Sequence, residues 1–492
     1  YPSADAAYDD ANCDGIDGVI GDALFVSAAN PLPGDGTMDN PFQTLGDAIA
    51  EFPASGKLYV LVAGGVYEEN IVLTAGIRLH GGYAPGFLSR NIVLFTTEIR
   101  GVPPGPGELP GTVSGLNLKG AGTILSGFTV VGPDMANGAV GQPGGNSIAL
   151  YVMDSGESLE IRNNWLIGGT GGAGGAGQQG ANGHGSQSPG GAALKGSNGS
   201  HSGACLNGNC NNASQAGGAS GTNSQCNGAG GNSGGGVVCP QYNSPSYNPP
   251  EPGHDGTPGW TWTLDSGSSG SCGGHATEAG YPAAIKKLDG GDGHEGEDAA
   301  DGNQGSGCAS GLGQYVNGQW AGLSGSVGKK GGYGDGGGAG GSSGGIDSAS
   351  SNEMPPGVGA YSGSRYKLGA TGGGGGAGGC GGNGGTGGEA GGGSVAAFVA
   401  YSNQGQAVSA PILAGNLVQR GFGGPGGAGG YGGQGGLGGD GGVGGTSQSY
   451  WIDYKAGKGG RGGRGGEGGG GGGGCGGASL GVALFGAPAN WQ

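Results

Sequence analysis

The sequence predicts an all-β fold: a solenoid of stacked coils, interrupted by inserted bundles of polyglycine-II/polyproline-II helices. Three observations predict it. Short strand-like runs broken by Gly, Asn and Pro fill residues 22 to 131. One segment recurs far along the chain, and glycine returns at strict three-residue intervals between its copies.

Composition bounds the reading first. With 140 glycines in 492 residues, 34% hydrophobic and 11% charged, the chain lies far from an ordinary globular domain. Its net charge of −17 leaves no basic stripe to neutralise phosphates, so nucleic acid is not an expected partner. No apolar run approaches the roughly 18 residues of a membrane span, so no transmembrane segment is expected. The chain begins at Tyr1, as expected of a mature form whose export signal has been removed. Cys13, Cys205, Cys210, Cys226, Cys239, Cys272, Cys308, Cys380 and Cys475 show no CxxC spacing for zinc or a redox pair. In a chain so poor in apolar surface, disulfides are the natural staples, and all but Cys13 are taken as candidates. The odd number leaves one thiol free or paired with another chain. An extracellular or cell-surface location is expected.

The element order follows from local pattern. Strands are expected in "ALFVS", "KLYVLVAGGVY", "NIVLTAGIRLHGGY", "GLNLKG" and "TILSGFTVVG". Between the first two, "NPFQTLGDAIAEF" has helical spacing in Phe42, Leu45, Ile49 and Phe52. The stretch "GDGTMDNPFQTLGDAI…YVLVAGGVYEENIVL…GIRLHGGY" resembles the N-terminal end of bacterial secreted right-handed parallel β-helix proteins of the pectate-lyase-like type. The resemblance spans about 90 residues and implies a right-handed parallel β-helix. It implies little about activity, because that family includes lyases, adhesins and inert scaffolds.

The internal repeat sets the boundaries. "SIALYVMDSGESLEIRNNWLIGGTGGAGGAG" (147–177) aligns with "SVAAFVAYSNQGQAVSAPILAGNLVQRGFGGPGGAGG" (394–430), and "ASLGVALFGAPANWQ" (478–492) begins a third copy. Each copy reads as a coil, so neighbouring coils would leave the ends of an inserted excursion about 4.8 Å apart. The expected organisation is an acidic segment at 1–21, a β-helix part with a short capping helix at 22–167, and a glycine-rich insertion at 168–393. A β-helix coil at 394–421, a second insertion at 422–478 and a final strand at 479–492 complete it.

The insertions keep a period that a flexible linker does not need. Glycine occupies every third position from Gly168 to Gly183 and from Gly322 to Gly340, and GGX triplets run through 423–446. Polyproline-II geometry has three residues per turn, so each X of a GGX run lies on one edge and two edges stay bare. Bare edges let backbones approach and bond to one another. Glycine's ordering cost forbids such a helix alone, so sheaves are expected. G-x-y runs suit the outside, and the all-glycine stretch 468–474 suits the middle. The repeat style resembles glycine-rich antifreeze proteins and the glycine-rich tips of phage tail-fibre adhesins.

Candidate chemistry is sparse. "DDANCDGIDGVIGD" (9–22) resembles an EF-hand or dockerin calcium loop, with Asp10, Asn12 and Asp14 at alternate positions and the Ile16 carbonyl next. Gly21 stands where the bidentate acid belongs, leaving Asp17 and Asp22 as substitutes, so the alternative is a solvated acidic N-terminus. The acidic run 289–302 is expected to face the basic edge of Lys458, Arg461 and Arg464, to bind cations, or to be solvated. Within 240–285, Tyr242, Tyr247, Trp260 and Trp262 stand among prolines, as a contact patch for glycan or protein or as a plug.

Catalysis finds little footing. The six histidines are scattered without HExxH spacing, and the GxSxG match at 341–345 lacks a strand-to-helix setting. Arg78, Arg90, Arg100 and Arg162 do not cluster as a lyase site would require. An ice-binding face is disfavoured because the X edge of 423–446 varies in size and polarity. The expectation is a secreted, non-enzymatic structural protein that self-assembles as a homopolymer into a filament or surface matrix. The alternative is an adhesin for cell-surface glycans.

Overall fold

In the computed structural model the described residues are 19–31, 33–201, 214–226, 230–238, 290–309, 313–316, 318–343, 346–347, 366–367, 370–402, 409–448 and 453–486. The fold is all-β, with stacked parallel sheets and one α-helix among these residues. A 3-10 turn, Ile20–Asp22, leads into β1 (Ala23–Val26), and α1 (Leu45–Ser55) follows. The stack then continues through β2 (Tyr59–Ala63), β3 (Gly65–Glu68), β4 (Ile71–Val72), β5 (Arg78–Tyr83) and β6 (Thr97–Arg100). Next come β7 (Gly111–Leu116), β8 (Thr123–Ser126), β9 (Phe128–Val131), β10 (Ser147–Met153), β11 (Leu159–Arg162) and β12 (Trp165–Ile167).

Glycine-rich chain follows, holding antiparallel pairs of short strands: β13 (Ser214–Gln215) with β14 (Val237–Val238), β15 (Gln314–Val316) with β16 (Gln319–Ala321), and β17 (Ile346–Asp347) with β18 (Tyr366–Lys367). The chain re-enters the stack as β19 (Ser394–Ala400), β20 (Ile412–Ala414) and β21 (Leu417–Gln419). It leaves once more through the ladder of β22 (Thr446–Gln448) with β23 (Asp453–Lys455), and returns as β24 (Ser479–Phe485).

Three parallel sheets result, in the orders β1-β2-β5-β8-β11-β20, β4-β7-β10-β19-β24 and β3-β6-β9-β12-β21. Ser147, Ser394 and Ser479 stand in one register across β10, β19 and β24, which is how the sequence repeat is laid on itself. Inward residues form three apolar columns. Leu24, Val60, Leu79, Leu125, Ile161 and Leu413 make the first. Tyr67, Ile99, Val130, Leu166 and Val418 make the second. Ile71, Val113, Leu150, Ala397 and Val482 make the third. Burial of these side chains supplies the stack's main driving force.

Local chemistry explains where elements start and stop. Thr44 caps α1, its Oγ1 accepting from the Asp47 amide at 3.1 Å. Phe42 therefore lies before the helix, bridged to Val26, although its spacing suggested helix. Leu45, Ala48 and Phe52 then face the core over the first strand. Glu69 ties this helix to the stack, accepting from the amides of Leu45 and Gly46 at 2.9 and 2.8 Å. Burial pushes its carboxyl above the usual range, and those two amides oppose the shift. The expected strand "GLNLKG" is displaced to β7, because Asn117 adopts φ 52° and turns the chain. Asn164, fully buried, fills a corner: it accepts from the Phe128 amide at 2.9 Å and donates to Asn416 Oδ1 at 3.1 Å.

The glycine-rich chain is a second ordered body. Its legs are extended, and their backbone hydrogen bonds recur at every third residue between segments remote in sequence. The 370–393 leg is the centre. Gly373, Gly376, Gly379, Gly382, Gly385 and Gly388 donate to the 457–472 leg, while Cys380, Asn383, Thr386 and Glu389 donate to the 175–184 stretch. Its carbonyls accept from the 325–340 leg on one side and the 424–445 leg on another. The 290–305 leg lies outermost, donating to 455–470.

Side-chain positions follow the cover. Along the X edge of the central leg, Gly374 lies under the 218–221 stretch, and Ala377 and Cys380 are buried. Asn383 is open to solvent, and Gly392 is again covered, by 144–145. The sequence reading put the all-glycine stretch 468–474 in the middle. Instead Gly470 and Gly473 are half-buried at the rim, and a leg of mixed X residues holds the centre. A hairpin of β15 and β16 clamps this body to the stack: Trp320 is buried, and Tyr315 stacks on Phe485 with ring centroids 4.8 Å apart.

A Cβ at Gly379 would overlap the Gly436 carbonyl. Gly379→Ala is expected to destabilise by about 3 kcal/mol in thermal or denaturant unfolding. Tyr431→Ala, on an exposed X edge, is expected to stay within about 0.5 kcal/mol.

Candidate interaction surfaces

Most residues singled out from sequence fall outside the described part. Asp10, Asn12, Asp14, Ile16 and Asp17 of the calcium-like loop lie there, as do Tyr242, Tyr247, Trp260 and Trp262, and Cys13, Cys205, Cys210, Cys239 and Cys272. Asp22 is described: it closes the 3-10 turn, and its carbonyl accepts from the Leu58 amide at 2.9 Å. Among the described residues no group of three or more His, Cys, Asp or Glu could hold a metal ion.

The remaining candidate cysteines pair. Cys226 bonds Cys380, joining the short 222–226 stretch to the central leg, and Cys308 bonds Cys475. Both links continue the lattice. Cys380 holds an X position, and Cys475 follows Gly460, Gly463, Gly466, Gly469 and Gly472 on the edge that faces the 290–308 leg. Where that leg ends, a side chain fills the place that glycine left bare. The scattered arginines also have partners: Arg90 donates to the Gly81 carbonyl at 2.9 Å, Arg100 pairs with Glu98 and Arg162 with Glu160, both at 2.7 Å. Arg78 lies over the Tyr59 ring.

The acidic run 289–302 does lie beside the leg of Lys458, Arg461 and Arg464, though its carboxylates address backbone. Asp292, Asp298 and Asp301 accept from the amides of Lys458, Arg464 and Glu467 at 2.9, 2.6 and 2.7 Å. The basic side chains pair on their own side, Arg464 with Glu467 at 3.1 Å and Arg461 with Asp440 at 3.9 Å.

The same rung recurs between other parallel legs. Asp134 and Asn137 accept from Thr170 and Ala173, Asn182 from Gln434, and Asn198 from Val443, at 2.9–3.0 Å. In each case the residue after the Asp or Asn donates its own amide to the carbonyl of the same partner. The short Asx side chain thus satisfies an outward amide that the neighbouring backbone cannot reach. An Asp or Asn just before the donating residue of the triplet frame, a Gly in all but the Asp134 and Asp298 rungs, was the available signal.

Two surfaces remain. The outer edge of the 421–446 leg turns Phe422, Pro425, Ala428, Tyr431, Gln434, Asp440 and Val443 to solvent. At the far end of the stack, among the described residues, no strand pairs with the outer edges of β20, β21 and β24.

Asp301→Ala is expected to speed amide exchange at Glu467 and cost about 1 kcal/mol, whereas Asp301→Asn, which keeps the acceptor, should leave both nearly unchanged. Site-resolved hydrogen exchange checks it. No protein-family model matches this sequence, and neither a curated protein nor a solved structure is significantly similar to it.

Proposed function

We propose that this chain is a non-enzymatic structural protein of the extracellular space, a subunit that self-assembles into a filament or surface matrix. In this reading the stacked sheets form a right-handed parallel β-helix of the pectate-lyase-like kind. The glycine legs form a polyglycine-II sheaf inserted between its coils.

The observation that carries the reading is how the central 370–393 leg is held. Its amides and carbonyls are shared out among several flanking legs, none adjacent in sequence. Pulling on any leg loads its neighbours through backbone bonds, which suits a body that bears force or fixes distance. The two disulfides suit an oxidising compartment. No helix among the described residues is long and apolar enough to cross a membrane. Among the described residues no strand pairs with the outer edges of β20, β21 and β24, and unpaired edges of this kind can template pairing with another chain.

An adhesin is the second reading, and the exposed Phe422 and Tyr431 on one edge of the 421–446 leg favour it. Glycan contact through Trp260 and Trp262, and calcium at the 9–22 loop, belong to this pair of proposals.

Electron microscopy of the purified protein across a concentration series, with and without calcium, tests the assignment. Regular filaments or sheets are expected. Monodisperse particles throughout would sink the assembly reading. Loss of glycan-array or cell binding in Trp260→Ala and Trp262→Ala, with folding intact, would then support the adhesin.

A further inference from the structure

Asn followed by Gly can modify itself in water, because a glycine amide has no Cβ to stop it turning towards the preceding side chain. Among the described residues four such pairs occur: Asn137–Gly138, Asn182–Gly183, Asn198–Gly199 and Asn383–Gly384. The first three are rungs of the sheaf. In each, the Asn Oδ1 accepts from one partner residue's amide at 2.9 Å, the partners being Ala173, Gln434 and Val443. The glycine amide donates back to that same partner's carbonyl at 2.7–2.8 Å. One partner thus holds both groups that would have to react.

Asn383 is held differently. It lies on the X edge of the central leg and is open to solvent, and Gly384 is half-buried beside it. Neither its side chain nor the Gly384 amide has a hydrogen-bond partner in the structure. The bonds it does make are main-chain ones: its amide donates to Ala181 at 2.9 Å, and its carbonyl accepts from Gly433 at 2.8 Å. Neither of these engages Cγ or the Gly384 nitrogen, the two atoms that must join.

From this contrast we infer that Asn383 is a site of covalent self-modification, and that the Asn rungs suppress the same reaction elsewhere in the sheaf. The Gly384 nitrogen gives its proton to hydroxide and attacks Cγ of Asn383. The N–Cγ bond forms, the Cγ–Nδ2 bond breaks, and ammonia leaves with a proton taken from water. Water then opens the cyclic imide at either carbonyl, leaving aspartate or, with the main chain rerouted through Cβ, isoaspartate. The net change is one water in and one ammonia out. In a rung the same attack must first give up a hydrogen bond on each reacting group, which slows it about tenfold or more. Isoaspartate at 383 adds one methylene to the main chain of the central leg. The next amides along it, Gly385 and Thr386, donate to Gly469 and Gln178, and the added atom carries them out of frame.

This chemistry is independent of what the chain binds or assembles into. Peptide mapping by mass spectrometry tests it on the full chain, aged at mildly alkaline pH either folded or reduced and unfolded in denaturant. Electron-transfer fragmentation separates isoaspartate from aspartate. Unfolded, the four sites should lose ammonia at similar rates. Folded, Asn383 should react about tenfold faster, or more, than Asn137, Asn182 or Asn198. Gln434→Pro tests the rung itself: it removes the amide that Asn182 accepts from, at an X position of the kind Pro425 already fills in the same leg. It should speed the reaction at Asn182 severalfold and leave Asn137 and Asn198 unchanged. Asn383 reacting no faster than the rung sites in the folded chain overturns the inference, as do rung sites that react as fast folded as unfolded. An unchanged Asn182 in the folded Gln434→Pro variant overturns the protective role of the rung, and the native comparison decides the rest without any variant.

Discussion

The sheaf depends on one constraint: neighbouring backbones sit so close that a Cβ on the facing edge would overlap a carbonyl. At Gly376 the obstacle is Gly439, at Gly385 it is Gly430, and at Gly466 it is Ala300. Because the legs approach that closely, amides of one reach carbonyls of the next at 2.7–3.1 Å over most of their length. Ordering glycine costs more backbone entropy than ordering any other residue, and each hydrogen bond returns only about 0.5–1.5 kcal/mol net. No single leg meets that cost. The central leg meets it by bonding to flanking legs on several sides at once, so the sheaf stands or falls as a unit.

The stack and the sheaf divide the labour of folding. The stack is held by apolar columns, the sheaf by backbone pairing with almost no apolar side chains. They are joined by continuity, since 168–186, 370–393, 421–445 and 456–478 each begin or end at a stack strand. In-register pairing of β10, β19 and β24 delivers the legs to the sheaf already side by side. The hairpin carrying Tyr315 and Trp320 adds a lateral clamp, with Tyr315 and Phe398 centroids 6.1 Å apart. The disulfides tie Cys226 of a short flanking stretch to the middle of the central leg at Cys380, and Cys308 at the end of the 290–308 leg to Cys475.

Much of this was legible in the sequence, and the gaps have physical causes. Strand runs and the Ser147, Ser394, Ser479 repeat identified stacked parallel sheets, because a coil that stacks on its copy must share its inward pattern. Triplet glycine announced close packing, since only bare edges permit it. Which leg would be central was misread from the glycine content of 468–474. Centrality depends on what covers each edge, and Ala377 and Cys380 show that small X residues tolerate cover as well as glycine does. The Asx rungs were hidden because their partners lie 36 to 252 residues away. β6 (Thr97–Arg100) was missed because its outward Glu and Arg masked a short run.

A lattice that repeats every three residues has a reading frame of its own. Adding or removing one residue in a leg would shift everything beyond it out of the three-residue hydrogen-bond frame, setting X residues where glycines now face a neighbour's backbone. Three residues at a time would keep each edge in place and merely lengthen or shorten the rod. Such legs are therefore free to change in length across generations only in whole triplets, or in pairs of compensating errors. Their length then becomes a quantity that duplication of short GGX units can adjust without redesigning the interior.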